Sequence, residues 1–174
     1  YVDRSFDWGS THPFSVLWWA EADGTEAKLD DGSVFCPPRG TLVLLHEWYG
    51  ASGANAGLKM SPRNVAAGIL EREQNLVSER WVQQKPRGGP ADNQIRSVNQ
   101  VDTPTIAKEM ETAGVSWESS DKSPGSRKIG LELMRSRLAE SAKEMPENPA
   151  LYVMSHCINA LSHWPVLPRD EKNQ

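Results

Sequence analysis

The chain reads as an α/β protein whose sheet begins antiparallel, continues with parallel strands and carries helices on its flanks. Three observations lead there. The first 50 residues hold three strand-like segments joined by turn residues, so consecutive strands meander. Beyond residue 60, helical segments alternate with short apolar ones, the order that adds parallel strands. The stretch Thr41 to Trp48 is almost continuously apolar at first, as expected of a strand covered on both faces.

The elements follow in order. Val2 to Phe6 is a short strand ending at Asp7-Trp8-Gly9, and Phe14 to Ala20 is aromatic and β-branched, as strands prefer. Between Ala22 and Gly40 lie Asp23-Gly24, Asp30-Asp31-Gly32 and Cys36-Pro37-Pro38-Arg39-Gly40, which mark a long hairpin connection. Ser61-Pro62 supplies an N-cap and a proline at the first helical position, after which Val65, Ile69, Leu70 and Leu76 recur at helical spacing to about Glu79. Lys85 to Pro90 breaks regular structure and leads into Ala91-Asp92-Asn93. Thr103-Pro104 opens a second helix with Ile106 and Met110 on one face and Gly114 just past its end. Val115 to Glu118 reads as a short strand. Ser123-Pro124 opens a third helix whose Ile129, Leu133 and Leu138 are expected in the core. Leu151 to Met154 is a last buried strand, followed by a helical turn near Cys157 to Leu161.

Composition narrows the classes. The 174 residues, 38% hydrophobic and 24% charged, suit one ordinary domain, and no internal repeat or second domain is visible. Seven tryptophans, three tyrosines and three phenylalanines supply enough apolar surface for one core, each removing roughly 150–250 Å² from water when buried. No apolar run approaches the ~20 residues of a transmembrane helix, and no signal peptide is visible. The chain opens at Tyr1 without Met, the start expected of a piece of a longer polypeptide. Cys36 and Cys157 form neither a disulfide framework nor a zinc motif and are expected as buried or half-buried thiols in a reducing cytosol. A net charge of −4 and a pI of about 5.6 argue against a protein that coats DNA. They leave room for a metal nuclease, because metal ions can supply the positive charge that faces phosphates.

The chemistry-bearing candidates are acids at strand ends. Asp7 follows an apolar strand and precedes a glycine that lets a ligand approach the backbone; the plainer alternative is a turn aspartate capping its own backbone. Asp92, after Gly88-Gly89-Pro90-Ala91, carries the same two readings. Strand alternation puts His46 and Glu47 on opposite faces, with Glu47 a metal-ligand candidate. Arg80, Lys85 and Arg87 form one loose basic cluster and Lys122, Arg127 and Lys128 another, as candidates for phosphate contacts beside the metals or simply as solvated loop charge. His12, His46, His156 and His163 lack zinc spacing, and Trp18-Trp19 is expected to split between the core and an outer contact.

Taken in order, Phe6-Asp7-Trp8-Gly9-Ser10, Pro13-Phe14-Ser15-Val16, Glu47-Trp48-Tyr49-Gly50 and Gly89-Pro90-Ala91-Asp92 resemble the C-terminal nuclease domain of the large terminase subunit of tailed phages. Ile106-Ala107-Lys108-Glu109-Met110, Gly114-Val115, Trp117 and the stretch from Leu151 to Leu167 continue the resemblance over nearly the whole chain. It implies an RNase H-like fold and a two-metal endonuclease that cuts concatemeric double-stranded DNA during packaging, in the cytoplasm of the bacterial host. It maps the metal-binding acids of the first strand and of the segment after the helical insertion onto Asp7 and Asp92, with Mg²⁺ or Mn²⁺ as cofactors. Asp7 would bridge both metals and Asp92 hold one. The family's third acid lies on a late helix in an acidic segment beyond the Leu-Pro stretch near Leu167-Pro168; Asp170 and Glu171 stand too close to Pro168 for that place, so the ligand is expected beyond Gln174. Asn93 is a second departure, standing where many relatives carry proline and expected to shift the backbone of the second acid.

Partners implied by the resemblance are double-stranded DNA, the terminase ATPase domain, the small terminase subunit and the portal protein, with no membrane. No phosphate loop G-x-x-x-x-G-K-[ST] is present, so ATP hydrolysis is expected to reside elsewhere. The whole of 1–174 is expected to be a single nuclease domain without the upstream ATPase domain and the C-terminal segment. Two other readings remain at this point: a non-catalytic RNase H-like docking module of the packaging machine, and another RNase H-like nuclease such as a resolvase or integrase.

Overall fold

The structure, a computed structural model, describes residues 1–29, 31–98 and 103–166. Its centre is a six-stranded mixed sheet. Strands β1 (Val2–Asp7), β2 (Ser15–Glu21) and β5 (Leu42–Tyr49) form the expected antiparallel meander. The connection between β2 and β5 folds back as a small hairpin of β3 (Ala27–Lys28) and β4 (Val34–Phe35), and a second hairpin, β6 (Ala51–Gly53) with β7 (Ala56–Gly57), follows β5. Helix α1 (Pro62–Ser78) then carries the chain across the sheet, so that β8 (Arg87–Ala91) enters parallel to β1. Helix α2 (Ile106–Thr112) leads to β9 (Glu118–Ser119), parallel to β8. Helix α3 (Ser126–Ser141) returns to β10 (Leu151–Val153), which pairs parallel to β5 on the other edge, and α4 (Ile158–His163) closes the described chain. The order across the sheet is β10-β5-β2-β1-β8-β9.

Alternation along the strands builds two cores. On one face Phe6, Val16 and Trp18 meet Val65, Ala66, Ile69 and Leu76 of α1, with Met110 of α2 and Val115 closing the layer. On the other, Leu44 packs with Cys157 and Ala160, flanked by Leu17, Trp19 and Trp164. The Trp18-Trp19 pair splits as expected: Trp18 is fully buried, whereas Trp19 stacks on Trp164 and donates to Ser5 Oγ at 3.1 Å. Burial of an ion pair locks α1 to β1, since Arg4 Nη1 lies 2.6 Å from Glu73 Oε1 and Trp18 Nε1 donates to the same oxygen at 3.3 Å. Of the two cysteines, Cys157 is buried and Cys36 exposed.

Element starts differ locally from the sequence reading. Ser61 caps α1 as expected, its side chain accepting from Asn64 N, and Gly114 takes the left-handed φ of 93° just past α2. The cap of α2 is Thr105, whose hydroxyl accepts from Lys108 N, because Pro104 cannot donate and holds its predecessor extended. Helix α3 starts at Ser126 behind a left-handed Gly125, since Ser123 is engaged in a turn with Asp121. The larger correction concerns its apolar residues. Ile129, Leu133 and Leu138, expected in the core, are 65%, 53% and 41% exposed. Spacings of four and five place Ile129 and Leu138 about 180° apart at 100° per residue, so they never formed a single stripe. The helix is anchored instead by polar groups of its second half. Arg137 donates to Gly40 O at 2.7 Å, and Glu140 accepts from Glu147 N at 2.7 Å and Asn148 N at 3.0 Å.

Candidate active site

Asp7 ends β1 and Asp92 follows directly on β8, so both acids leave the carboxyl ends of neighbouring parallel strands, the end at which open α/β sheets bind ligands. A bulge makes them neighbours. Arg4 pairs with Gly88, but Phe6 pairs with Ala91, so three residues of β8 span what two of β1 span. Without the extra residue Ala91 would stand beside Asp7; with it, Asp92 does, and Asp92 N donates to Phe6 O at 3.2 Å. Two glycines permit this squeeze. A Cβ on Gly88 would sit 2.3 Å from Ser116 O, and one on Gly89 would sit 2.6 Å from Arg4 O.

Each acid is held differently. Asp92 caps the 3-10 turn Asn93–Arg96, its Oδ1 accepting from Gln94 N at 2.8 Å, while Oδ2 lies 3.0 Å from Lys122 Nζ. The Gln94 amide and then the Lys122 ammonium pull its pKa below the usual carboxylate range. Asp7 reaches solvent at the sheet rim, yet burial against its surroundings and the Asp92 charge push its pKa up, opposed only in part by Lys122. Lys122 is delivered by a side-chain clasp. Asn93 Nδ2 donates to Ser120 O and Ser120 N to Asn93 Oδ1, both at 3.2 Å, tying the end of β9 to the turn that carries Asp92. Asn93, at a departure from the resembled pattern, thus binds the loop that brings the lysine to the acid.

The remaining candidates divide by position. Arg127 joins Asp121, Lys122, Ser123, Gly125 and Ser126 around an open depression of about 480 Å³ beside the acids, and Lys128 follows exposed on the first turn of α3. Lys85 and Arg87 are not brought there. Arg87 opens β8, five residues and about 16 Å of strand before Asp92, and its guanidinium lies 5.1 Å from the centre of the Tyr1 ring. Lys85 Nζ is 3.9 Å from Glu73 Oε2. Arg80, left-handed at φ 62°, follows the end of α1. Glu47 shares a sheet face with Asp7 but lies two strands away, and both its oxygens are engaged. Oε1 accepts from Asn159 N and Nδ2 at 2.6 and 2.9 Å and Oε2 from Ala160 N at 2.9 Å, so the carboxylate caps α4. His46 and His156 line a separate cavity of about 240 Å³ with Arg72 and Trp81.

No protein-family model matches the sequence, and no curated protein is significantly similar to it. Among solved structures, the nuclease domain of the P22 large terminase superposes with a TM-score of 0.58 at 13% identity, over 99% of this chain and 70% of that one. The chain shares the fold of that nuclease domain. The mixed α/β sheet flanked by helices that the sequence predicts is therefore present, in a fold shared with that neighbour. The donor set suits hard divalent cations: two carboxylates from adjacent strands, Asp7 raised by burial and then by the Asp92 charge, with the Lys122 ammonium as the present counter-charge of Asp92. Among the described residues no group of three His, Cys, Asp or Glu is placed to hold a metal ion, and Asp170 and Glu171 lie outside the described residues. The bulge of β8 and the Asn93–Ser120 clasp were not anticipated from the sequence; the paired glycines before Pro90-Ala91-Asp92 were the signal for the first.

Proposed function

We propose that the chain is the metal-dependent endonuclease domain of a phage or prophage DNA-packaging terminase, cutting concatemeric double-stranded DNA. The observation that carries this reading is the side-by-side placement of Asp7 and Asp92 at the carboxyl ends of β1 and β8, in a fold shared with a terminase nuclease domain. Asp7 and Asp92 would hold the metals, and the resemblance places the third carboxylate in an acidic segment after Leu167-Pro168. Mg²⁺ or Mn²⁺ held there would supply an activated water and stabilise the leaving oxygen in phosphodiester hydrolysis. The chain's own side chains would orient the DNA: Lys122, paired with Asp92, and Arg127, which lines the depression with it, are the candidates for phosphate contacts, with Lys128 next along α3.

In this reading 1–174 is one nuclease domain, ATP hydrolysis belongs to a separate terminase ATPase domain, and the small subunit and portal are its partners in the host cytoplasm. Among the described residues no helix is long and apolar enough to cross a membrane. The absence of a third acid among the described residues favours one other reading, a non-catalytic docking module. A single experiment separates the two. Supercoiled plasmid incubated in Mn²⁺ with a polypeptide that carries this chain together with the acidic third-ligand segment should be nicked and linearised, EDTA should stop the reaction, and Asp7→Asn and Asp92→Asn should each abolish it with the fold intact. Retained cleavage in either variant removes the assigned acids; failure of the wild type to cleave or to bind Mn²⁺ leaves the docking module.

A further inference from the structure

We propose that Lys122 is the resident counter-ion of the Asp7–Asp92 pair, displaced from Asp92 when divalent cations load and released to a DNA phosphate in the depression beside it. This rests on the nuclease reading of the two acids and adds a control on their loading. The geometry supports each half. Lys122 Nζ lies 3.0 Å from Asp92 Oδ2, the oxygen left after Oδ1 has taken the Gln94 amide. That oxygen is the one Asp92 can offer to a cation. The same lysine lines the open depression with Arg127 and Ser126, so a short swing of its flexible stem moves the ammonium from carboxylate to solvent-facing phosphate. Its side chain is 56% exposed, and no second carboxylate among the described residues pairs with it, so leaving Asp92 strands no buried charge. The loop is fixed while the side chain is free: Ser120 is clasped to Asn93, and Ser126 N donates to Ser123 O at 3.0 Å.

Metal and DNA then act on one residue in the same direction. A cation at Asp92 expels the ammonium, and a phosphate in the depression captures it, so each ligand raises the affinity for the other, as linkage requires. Until a cation or DNA arrives, the ammonium offsets part of the acids' charge and lowers the site's affinity for metal. Lys122 is thus a positioning residue whose removal changes ligand affinities rather than the fold.

The test titrates Mn²⁺ alone into the wild-type chain, Lys122→Met, Lys122→Arg and Asp92→Asn, by calorimetry at low salt, with thermal melts as folding controls. Lys122→Met should bind Mn²⁺ roughly three- to tenfold more tightly than wild type, the range expected when a competing exposed ion pair and a repelling charge are both removed. Lys122→Arg should stay near wild type, and Asp92→Asn should lose binding. In metal-free buffer Lys122→Met should bind a short duplex several-fold more weakly, with the salt slope reduced by about one. If wild type and Asp92→Asn bind Mn²⁺ alike, the reading of the acids fails. If Asp92→Asn loses binding but Lys122→Met binds Mn²⁺ no more tightly than wild type, the acids stand and the counter-ion role is overturned. Unchanged duplex binding overturns the phosphate half.

Discussion

Replacing Asp7 by Asn should make the metal-free protein more stable and, on the proposed function, abolish DNA cleavage. The two carboxylates leave adjacent strands, whose spacing is about 4.8 Å, so their charges face each other across about 5 Å. Coulomb's law puts the repulsion at roughly 1 kcal/mol for an effective dielectric of 80 and about 3 kcal/mol for one of 20. Both groups reach solvent and Lys122 neutralises part of the pair, which selects the lower figure and reduces it to about 0.5–1 kcal/mol. For a domain of this size that corresponds to a rise in Tm of roughly 1–4 °C. The sign follows from the direction of the Asp7 shift. Its folded pKa is raised, so the penalty is present above that raised value and vanishes below the ordinary carboxylate pKa of about 3.9. Melting wild type and Asp7→Asn in EDTA from pH 3 to 8 should show the variant ahead at pH 7 and level with wild type below about pH 4. Adding Mn²⁺ should reverse the order at neutral pH, because only the wild type gains binding energy. A variant that melts lower than wild type in EDTA at pH 7 would refute the premise that two incompletely neutralised carboxylates face each other there.

Two further outcomes test the frame that carries the acids. Glu73→Ala strands the Arg4 guanidinium in the core beside Trp18 and should cost about 3–5 kcal/mol, a fall of roughly 10 °C in Tm, whereas replacing both partners by apolar residues of similar size should cost far less; urea titrations of the single and double variants decide it. Glu140 has its pKa lowered to about 2 by Lys143 and by the amides of Asn148 and Glu147, so the stability it adds is present above the unfolded carboxylate value near 4.3 and is lost as pH falls toward 2. The Tm difference between wild type and Glu140→Gln should accordingly shrink over that interval, and a difference independent of pH would show that the carboxylate charge does not hold the loop after α3.

Much of this was legible in the sequence because it depends on local chemistry. Turn residues set the antiparallel meander, Ser61-Pro62 set the start of α1, and the alternation of Trp18 with Trp19 sent one indole to each face. The ordered motifs around Asp7 and Asp92 pointed to a fold that the structure shares with the P22 large terminase nuclease domain. The same local logic failed where an element's environment lies far along the chain. The apolar residues of α3 resemble a core stripe one by one, but their angular spacing spreads them around the helix and they stand exposed. Glu47 resembled a metal ligand, yet residues 112 and 113 positions away supply the amides that occupy it. Most of all, the sequence placed an acid after each of two strands but said nothing of their register. One extra residue in β8, admitted because Gly88 and Gly89 have no Cβ to strike Ser116 and Arg4, sets Asp92 rather than Ala91 beside Asp7. Strand type follows from neighbours in sequence; which side chains meet across strands is decided by packing, because a shift of one residue costs little locally and changes every partner.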